Sequence, residues 1–147
     1  MNSPNQSELE HEYAQYFTVQ QDFSVNIKPL DNNTELPSEA LFSQQIPELF
    51  KLASDMIVVD QAQLRDLNMS ERSAKLIAQI LSQQSTRISM ILTYMLRHED
   101  EAEYRQQGRA YSGGGFVCES THPLALGDRV QVKLFLADDY AAVFAYG

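Results

Sequence analysis

Few side chains in this chain are spaced to do chemistry. The three histidines, His11, His98 and His122, lie far apart, and only the run His98-Glu99-Asp100 sets carboxylates beside one of them. A metal centre needs three or four ligands converging at defined spacing, so that run reads as a solvated charged face and no metal is expected. Cys118 is the single cysteine, which excludes an internal disulfide. It follows apolar Phe116-Val117, where a lone thiol packs as a small core residue. No serine stands in a nucleophile elbow. With no candidate base, nucleophile or metal ligand, the expectation is a protein that is not an enzyme. One segment stands apart, Tyr111-Ser112-Gly113-Gly114-Gly115-Phe116. Consecutive glycines let a backbone approach a ligand closely or adopt positive φ. The segment has no lysine and no following helix, so it is not a phosphate-binding P-loop. A close approach to a ligand and a tight turn or bulge at the start of a strand are the two readings it leaves open.

The strongest pattern in the chain is for pairing. Ala74, Ile77, Leu81, Gln84, Ile88, Ile91 and Met95 recur at alternating gaps of three and four, which puts them on one seam of a long helix from about Ser70 to Arg97. In heptad terms Ala74, Leu81, Ile88 and Met95 are a positions and Ile77, Gln84 and Ile91 are d positions. Leucine at a with isoleucine at d favours more than two strands. Ala78, Leu92, Ile80 and Tyr94 at the e and g sites widen the face, so the expectation is a homo-oligomer of more than two copies, with a tetramer among the states that fit. Gln84 can exchange amide hydrogen bonds with its symmetry mates and set the register. The competing reading is that the same stripe packs on the chain's own helices, within residues 38–59, inside a monomer.

The flanking elements frame that helix. Residues 1–12 are polar and suit a frayed terminus. From Phe17 the odd positions Phe17, Val19, Phe23, Val25 and Ile27 are apolar and the even ones polar, the period of a half-buried strand, with Gln21 the only break. Pro29 ends it, and Asp31-Asn32-Asn33-Thr34 supplies turn formers. Ser38 is placed to cap a short helix, and Pro47 fits the first turn of another with Leu49, Phe50, Leu52, Ala53 and Met56 on its apolar face. Ile57-Val58-Val59 reads as the buried end of that helix, and Ser70 as the cap of the long one. The charged run Arg97 to Glu101 ends the long helix. His122 to Gly127 then reads as a turn, and Val130, Val132, Leu134 and Leu136 alternate as a strand. Asp138-Asp139 marks a turn, and Tyr140 to Tyr146 starts one more strand, so the β unit reads as truncated at Gly147.

Length and composition bound the rest. A chain of 147 residues, 44% hydrophobic and 21% charged, is enough for one globular unit. A net charge of -9 without a Lys/Arg cluster works against nucleic acid and against anionic membrane surfaces. The polar start, Met1 to Gln6, lacks the regions of a signal peptide, and no apolar run is long enough to span a bilayer, which together point to a cytoplasmic location.

A resemblance gives these pieces an arrangement. Ser112 and Gly115, then Phe116-Val117, then Pro123-Leu124-Ala125-Leu126-Gly127-Asp128-Arg129-Val130, resemble the PilZ family's D/N-x-S-x-x-G motif and the hairpin that follows it. Tyr16 to Lys28 is similar to that family's first strand. The long helix is then an insertion, as in an atypical branch of the family known for coiled-coil tetramers. The implied fold is α+β: a small, partly incomplete PilZ-like β-barrel with a helical insertion that forms a coiled coil. The implied segments are a flexible terminus over 1–12, a first strand within 13–30, an oligomerising insertion over 31–104 and the remaining β unit over 105–147. Family members bind cyclic di-GMP through an arginine pair, R-x-x-x-R, before the first strand. Here that region reads Thr18-Val19-Gln20-Gln21, and Ala110 stands at the D/N position. The resemblance therefore implies a non-enzymatic signalling adaptor with a degenerate motif, acting on other signalling or motility proteins and needing no cofactor. The alternative is a cyclic di-GMP receptor whose donors are rearranged to Arg105 and Arg109, with Ser112 and Gly115. Arg105 and Arg109 do spell R-x-x-x-R, directly before Ser112.

Overall fold

A computed structural model describes residues 6–55, 72–136 and 141–147. The elements run in the order α1 (Gln6–Ala14), β1 (Val19–Pro29), α2 (Glu39–Gln45), α3 (residues 48–55), α4 (Arg72–Leu96), β2 (Arg105–Ser112), β3 (Gly115–Glu119), β4 (Val130–Leu136) and β5 (Ala141–Tyr146). The fold is α+β. The strands form one antiparallel sheet in the order β3-β2-β1-β4-β5, with β3 and β5 as its edges. The sheet is open, which corrects the barrel implied by the family resemblance.

The chain divides into two compact units. The first comprises Met1–Pro37, Asp100–Leu134 and Phe144–Gly147. Its centre is the β1/β2 ladder, where Phe23 faces Gly108, Ser24 faces Gln107 and Val25 faces Gln106. The alternation along β1 predicts this, and Phe23 and Val25 are buried with Ala110, Val132, Leu134 and Phe144. Burying such side chains yields roughly 1.5–3 kcal/mol each. The break at Gln21 has a structural counterpart, since the pairing shifts register between Gln20 and Phe23. A second shift lies between Gly108 and Ala110 in the β2/β3 ladder. Such irregularities bend a strand and re-aim its side chains. After β3, the backbone N–H of Asp128 donates to the Ala125 carbonyl at 3.1 Å, and the Asp128 carboxylate accepts from the Ala125 N–H at 2.8 Å. Gly127, at φ 92°, supplies the positive φ that this turn requires.

The second unit comprises Ser38–Glu99 and Phe135–Val143. Pro47 opens α3, its carbonyl accepting from Phe50 N–H at 2.9 Å and Lys51 N–H at 3.3 Å. Phe50 and Ala53 are buried, and Phe50 meets Phe135 edge-on at 5.7 Å between centroids. In α4 the hydroxyls of Thr86 and Thr93 donate to the carbonyls of Ser82 and Ser89, at 3.0 and 2.9 Å, so these polar side chains are satisfied within the helix. Helix α4 covers 25 residues and ends at Leu96, where the charged run begins.

Several expectations change. The N-terminal segment is helical from Gln6, not frayed. Phe17 lies outside β1 and is 88% exposed. Leu52 is exposed although Phe50 and Ala53 on α3 are buried. Ser38 occupies the N-cap position of α2 but makes no side-chain cap bond. Met56, Ile57 to Val59, the proposed cap Ser70 and the Asp138-Asp139 turn lie outside the described residues.

Candidate functional site: the exposed seam of α4 and the glycine turn

Helix α4 carries two apolar stripes, and among the described residues one is buried and the other exposed. Ala78, Leu92 and Leu96 are buried, with Ser85 and Ser89 half-buried between them. The heptad seam lies about a quarter turn away. Ile77, Leu81, Ile88, Ile91 and Met95 on it are 44% to 61% exposed. Gln84 is exposed as well, and Ala74 is half-buried. Ile80, Tyr94, Leu76 and Met90 extend the exposed apolar surface on the side away from the buried stripe. The e positions Ala78 and Leu92 thus belong to the buried stripe and the g positions Ile80 and Tyr94 to the exposed one. The segment Arg72 to Leu96 contains no carboxylate, and its charges are Arg72, Lys75 and Arg87. A stripe of this size is more apolar surface than a lone soluble helix normally leaves in water.

The glycine segment is the two-residue turn of a hairpin. Ser112 pairs with Gly115 across it, and Tyr111 with Phe116. The Ser112 hydroxyl accepts from the Gly114 N–H at 3.2 Å and donates to the Gly115 carbonyl at 3.4 Å, so it closes the turn it begins. This supplies the tight-turn reading of the segment with its atoms. The turn is also covered by residues that sequence reasoning passed over. A Cβ at Gly114 would stand 2.6 Å from Tyr16 Cδ2, and one at Gly115 would stand 3.7 Å from Tyr13 Cδ2. The spacing of two tyrosines, three apart at the end of a polar segment, is the only signal the sequence offers for them.

The two arginines are placed on the exposed face of β2, one on each side of Gln107. Both are engaged. Arg105 Nε donates to Asp100 Oδ2 at 2.8 Å. Arg109 lies at the β2/β3 register shift and spans three strands: Nε donates to Glu119 at 2.9 Å and Nη1 to both oxygens of Asp22 at 3.0 Å. These bonds, Asp22's first, push the Arg109 guanidinium up from its ordinary pKa. An anionic ligand reaching Arg109 has to displace two carboxylates. Asp100 is correspondingly no member of a solvated charged face. It is half-buried and bonded to Arg105 and to Asn26 Nδ2, the latter at 2.7 Å.

In the loop after β3 the Ser120 hydroxyl is engaged by the backbone of His122, not by its ring. The Ser120 hydroxyl donates to the His122 carbonyl at 2.7 Å and accepts from the His122 N–H at 3.2 Å. His122 Nδ1 lies 3.0 Å from Thr121 Oγ1. Ser120 and His122 border a cleft of about 260 Å³ together with Ile27, Tyr104, Gln106 and Leu124. That volume is at or below the range of small-molecule sites. Cys118 is half-buried on β3, and burial pushes its thiol pKa up, away from the thiolate. Among the described residues no three His, Cys, Asp or Glu side chains gather around a common point, and no helix is long and apolar enough to cross a membrane. Compared with known proteins, the chain matches no family model, no curated protein and no solved structure.

Proposed function

We propose that the chain is a non-enzymatic adaptor that self-associates through the exposed seam of α4 and presents its β-sheet unit to protein partners. The observation that carries this reading is the division of α4 into a buried stripe and a separate exposed one in heptad register. A helix that served only the core would need the first stripe alone. Each half-exposed Leu, Ile or Met on the seam retains on the order of 1 kcal/mol of unrealised burial. Five such side chains per copy bring two facing copies to the order of 10 kcal/mol, comparable with the cost of association, about 4–15 kcal/mol. Widening by Ile80 and Tyr94 favours more than two helices, and Gln84 then selects the register. The PilZ-like reading rests on Ser112, Gly115 and the turn at Ala125 to Asp128. Within it the cyclic di-GMP motif is degenerate, because Thr18 to Gln21 stand where the arginine pair would be and Ala110 holds the D/N position, and the substitute donors Arg105 and Arg109 are engaged by carboxylates.

Light scattering on the purified chain is expected to give a mass of several protomers. Leu81→Lys together with Ile88→Lys is expected to reduce it to one, because two ammonium groups per copy cannot be buried unpaired in the seam. A wild-type chain that runs as a monomer at high micromolar concentration would overturn the proposal. Isothermal titration with cyclic di-GMP is expected to give no binding heat. A heat that Arg109→Ala abolishes would replace the adaptor by a receptor.

A further inference from the structure

The cleft beside Ser120 and His122 lies at the end of the β1/β2 ladder away from the glycine turn, wholly within the first compact unit. Its walls are tied together. The Ile27 N–H donates to the Tyr104 carbonyl at 3.0 Å, and Gln106 Oε1 accepts from the Thr121 N–H at 3.1 Å. The loop after β3 is held by the Ser120 bonds at one end and at the other by the Leu30 N–H, which donates to the Arg129 carbonyl at 2.8 Å. Two polar groups on this frame are left unpaired. Gln106 is only 9% exposed, its oxygen is committed to Thr121, and among the described residues nothing accepts from its Nε2. A nearly buried donor without an acceptor favours a ligand that brings one. Asp100 and Glu101 receive Arg105 and Lys133, whereas Glu103 has neither cation nor donor among the described residues. Lys28 is seated over the Tyr104 ring, 5.4 Å from its centroid, and not on Glu103. Ile27, Pro29 and Leu124 complete the lining with apolar surface, Leu124 being 42% exposed.

We propose that this cleft binds a free α-amino acid with an apolar side chain. The ammonium group is received by Glu103, the carboxylate accepts from Gln106 Nε2, and the side chain lies on Ile27, Pro29 and Leu124. Such a ligand supplies both missing partners from one carbon atom, and the bonded walls hold the donor and acceptor before it arrives. A volume of about 260 Å³ suits a ligand of that size. The inference does not depend on α4 or on association.

Saturation-transfer NMR titrations of the full chain test this with probes that share one branched carbon skeleton. L-leucine carries both charged groups, 3-methylbutylamine lacks the carboxylate, and 4-methylpentanoate lacks the ammonium. Leucine is expected to bind with a Kd of roughly millimolar order, and 4-methylpentanoate about tenfold more weakly. Glu103→Gln is expected to weaken leucine and the amine about tenfold alike. Gln106→Glu keeps an acceptor for the Thr121 N–H and replaces the free donor by a carboxylate oxygen. It is expected to weaken leucine about tenfold while the amine binds no more weakly than to wild type. If Gln106→Glu does not fold, Glu103→Gln decides alone, because that side chain is exposed. The proposal is overturned if leucine gives no saturation transfer at about ten times the expected Kd, or if Glu103→Gln leaves its affinity unchanged. It is overturned equally if Gln106→Glu weakens leucine and the amine to the same extent, since the amide would then not meet the carboxylate.

Discussion

Gly108→Ala is expected to lower the unfolding free energy by about 3 kcal/mol, the upper end of the penalty for overpacking a core. Gly108 faces Phe23 across the β1/β2 ladder. A Cβ there would stand 2.2 Å from Cε2 and Cζ of the ring, well inside van der Waals contact. The ring has no free direction of retreat. It is 4% exposed and held edge-on by Tyr111 at 5.7 Å and Phe116 at 6.3 Å between centroids. Either three aromatic side chains leave their positions or the two strands separate. Urea denaturation of wild type and variant measures the loss, and an unchanged midpoint would show that Phe23 repacks at no cost. Adding Phe23→Leu should recover part of it, because the shorter side chain vacates the space the methyl group needs.

The second large effect is expected at Asn26. This side chain is 2% exposed and uses both ends of its amide. Nδ2 donates to Asp100 Oδ1 at 2.7 Å and to the Glu101 carbonyl at 3.3 Å, and Oδ1 accepts from the Glu101 N–H at 2.8 Å. Asp100 in turn receives Arg105, and Glu101 receives Lys133 Nζ at 3.0 Å. One amide thereby ties the segment that follows α4 to β1. Asn26→Ala leaves a half-buried carboxylate and a backbone N–H without their donor and acceptor. A loss of about 2–3 kcal/mol follows from the charge-assisted bond and the stranded groups. Asn26→Asp keeps the shape but sets a carboxylate against that of Asp100. Like charges at that distance raise a carboxyl pKa. The repulsion is present when both groups are ionised and is relieved as pH falls through the raised pKa. The stability difference from wild type should therefore be greatest at neutral pH and shrink in acid. A difference independent of pH would mean that the introduced carboxylate turns away from Asp100.

Much of the secondary structure is legible in the residues themselves. The period-2 run around Phe23, Val25 and Ile27 is β1, and the alternation from Val130 to Leu136 is β4 with Val132, Leu134 and Leu136 buried. The spacing of Ile77, Leu81, Ile88 and Ile91 requires a helix, and Ser112 with Gly115 marks a turn. These patterns are legible because strand and helix repeat every two and every 3.6 residues, and apolar residues must follow that repeat to share a face. Periodicity also has a limit, and α4 shows it. Ala78, Leu92 and Leu96 and the heptad residues are both apolar and both helically spaced. Which stripe is covered depends on what packs beside the helix, and only the tertiary structure decides that.

The sequence by itself determined a lone cysteine with no disulfide partner in the chain, an acidic balance, and a helix whose apolar surface exceeds what one face can bury. The tertiary structure decided everything that depends on residues distant in the chain. It placed Tyr16 on Gly114, a pairing that no local preference encodes. It bound Arg109 with Asp22 and Glu119, residues on three neighbouring strands, next to the register shifts of two adjacent ladders. It turned Asp100 from an apparent surface charge into the partner of a buried amide. Each is a contact between side chains on separate elements, and such contacts follow from strand order and register. For the helix that carries the proposed function, the sequence supplied the seam, and its large apolar side chains are half-exposed in the fold, because the residues one position further on, Ala78, Leu92 and Leu96, are the ones buried.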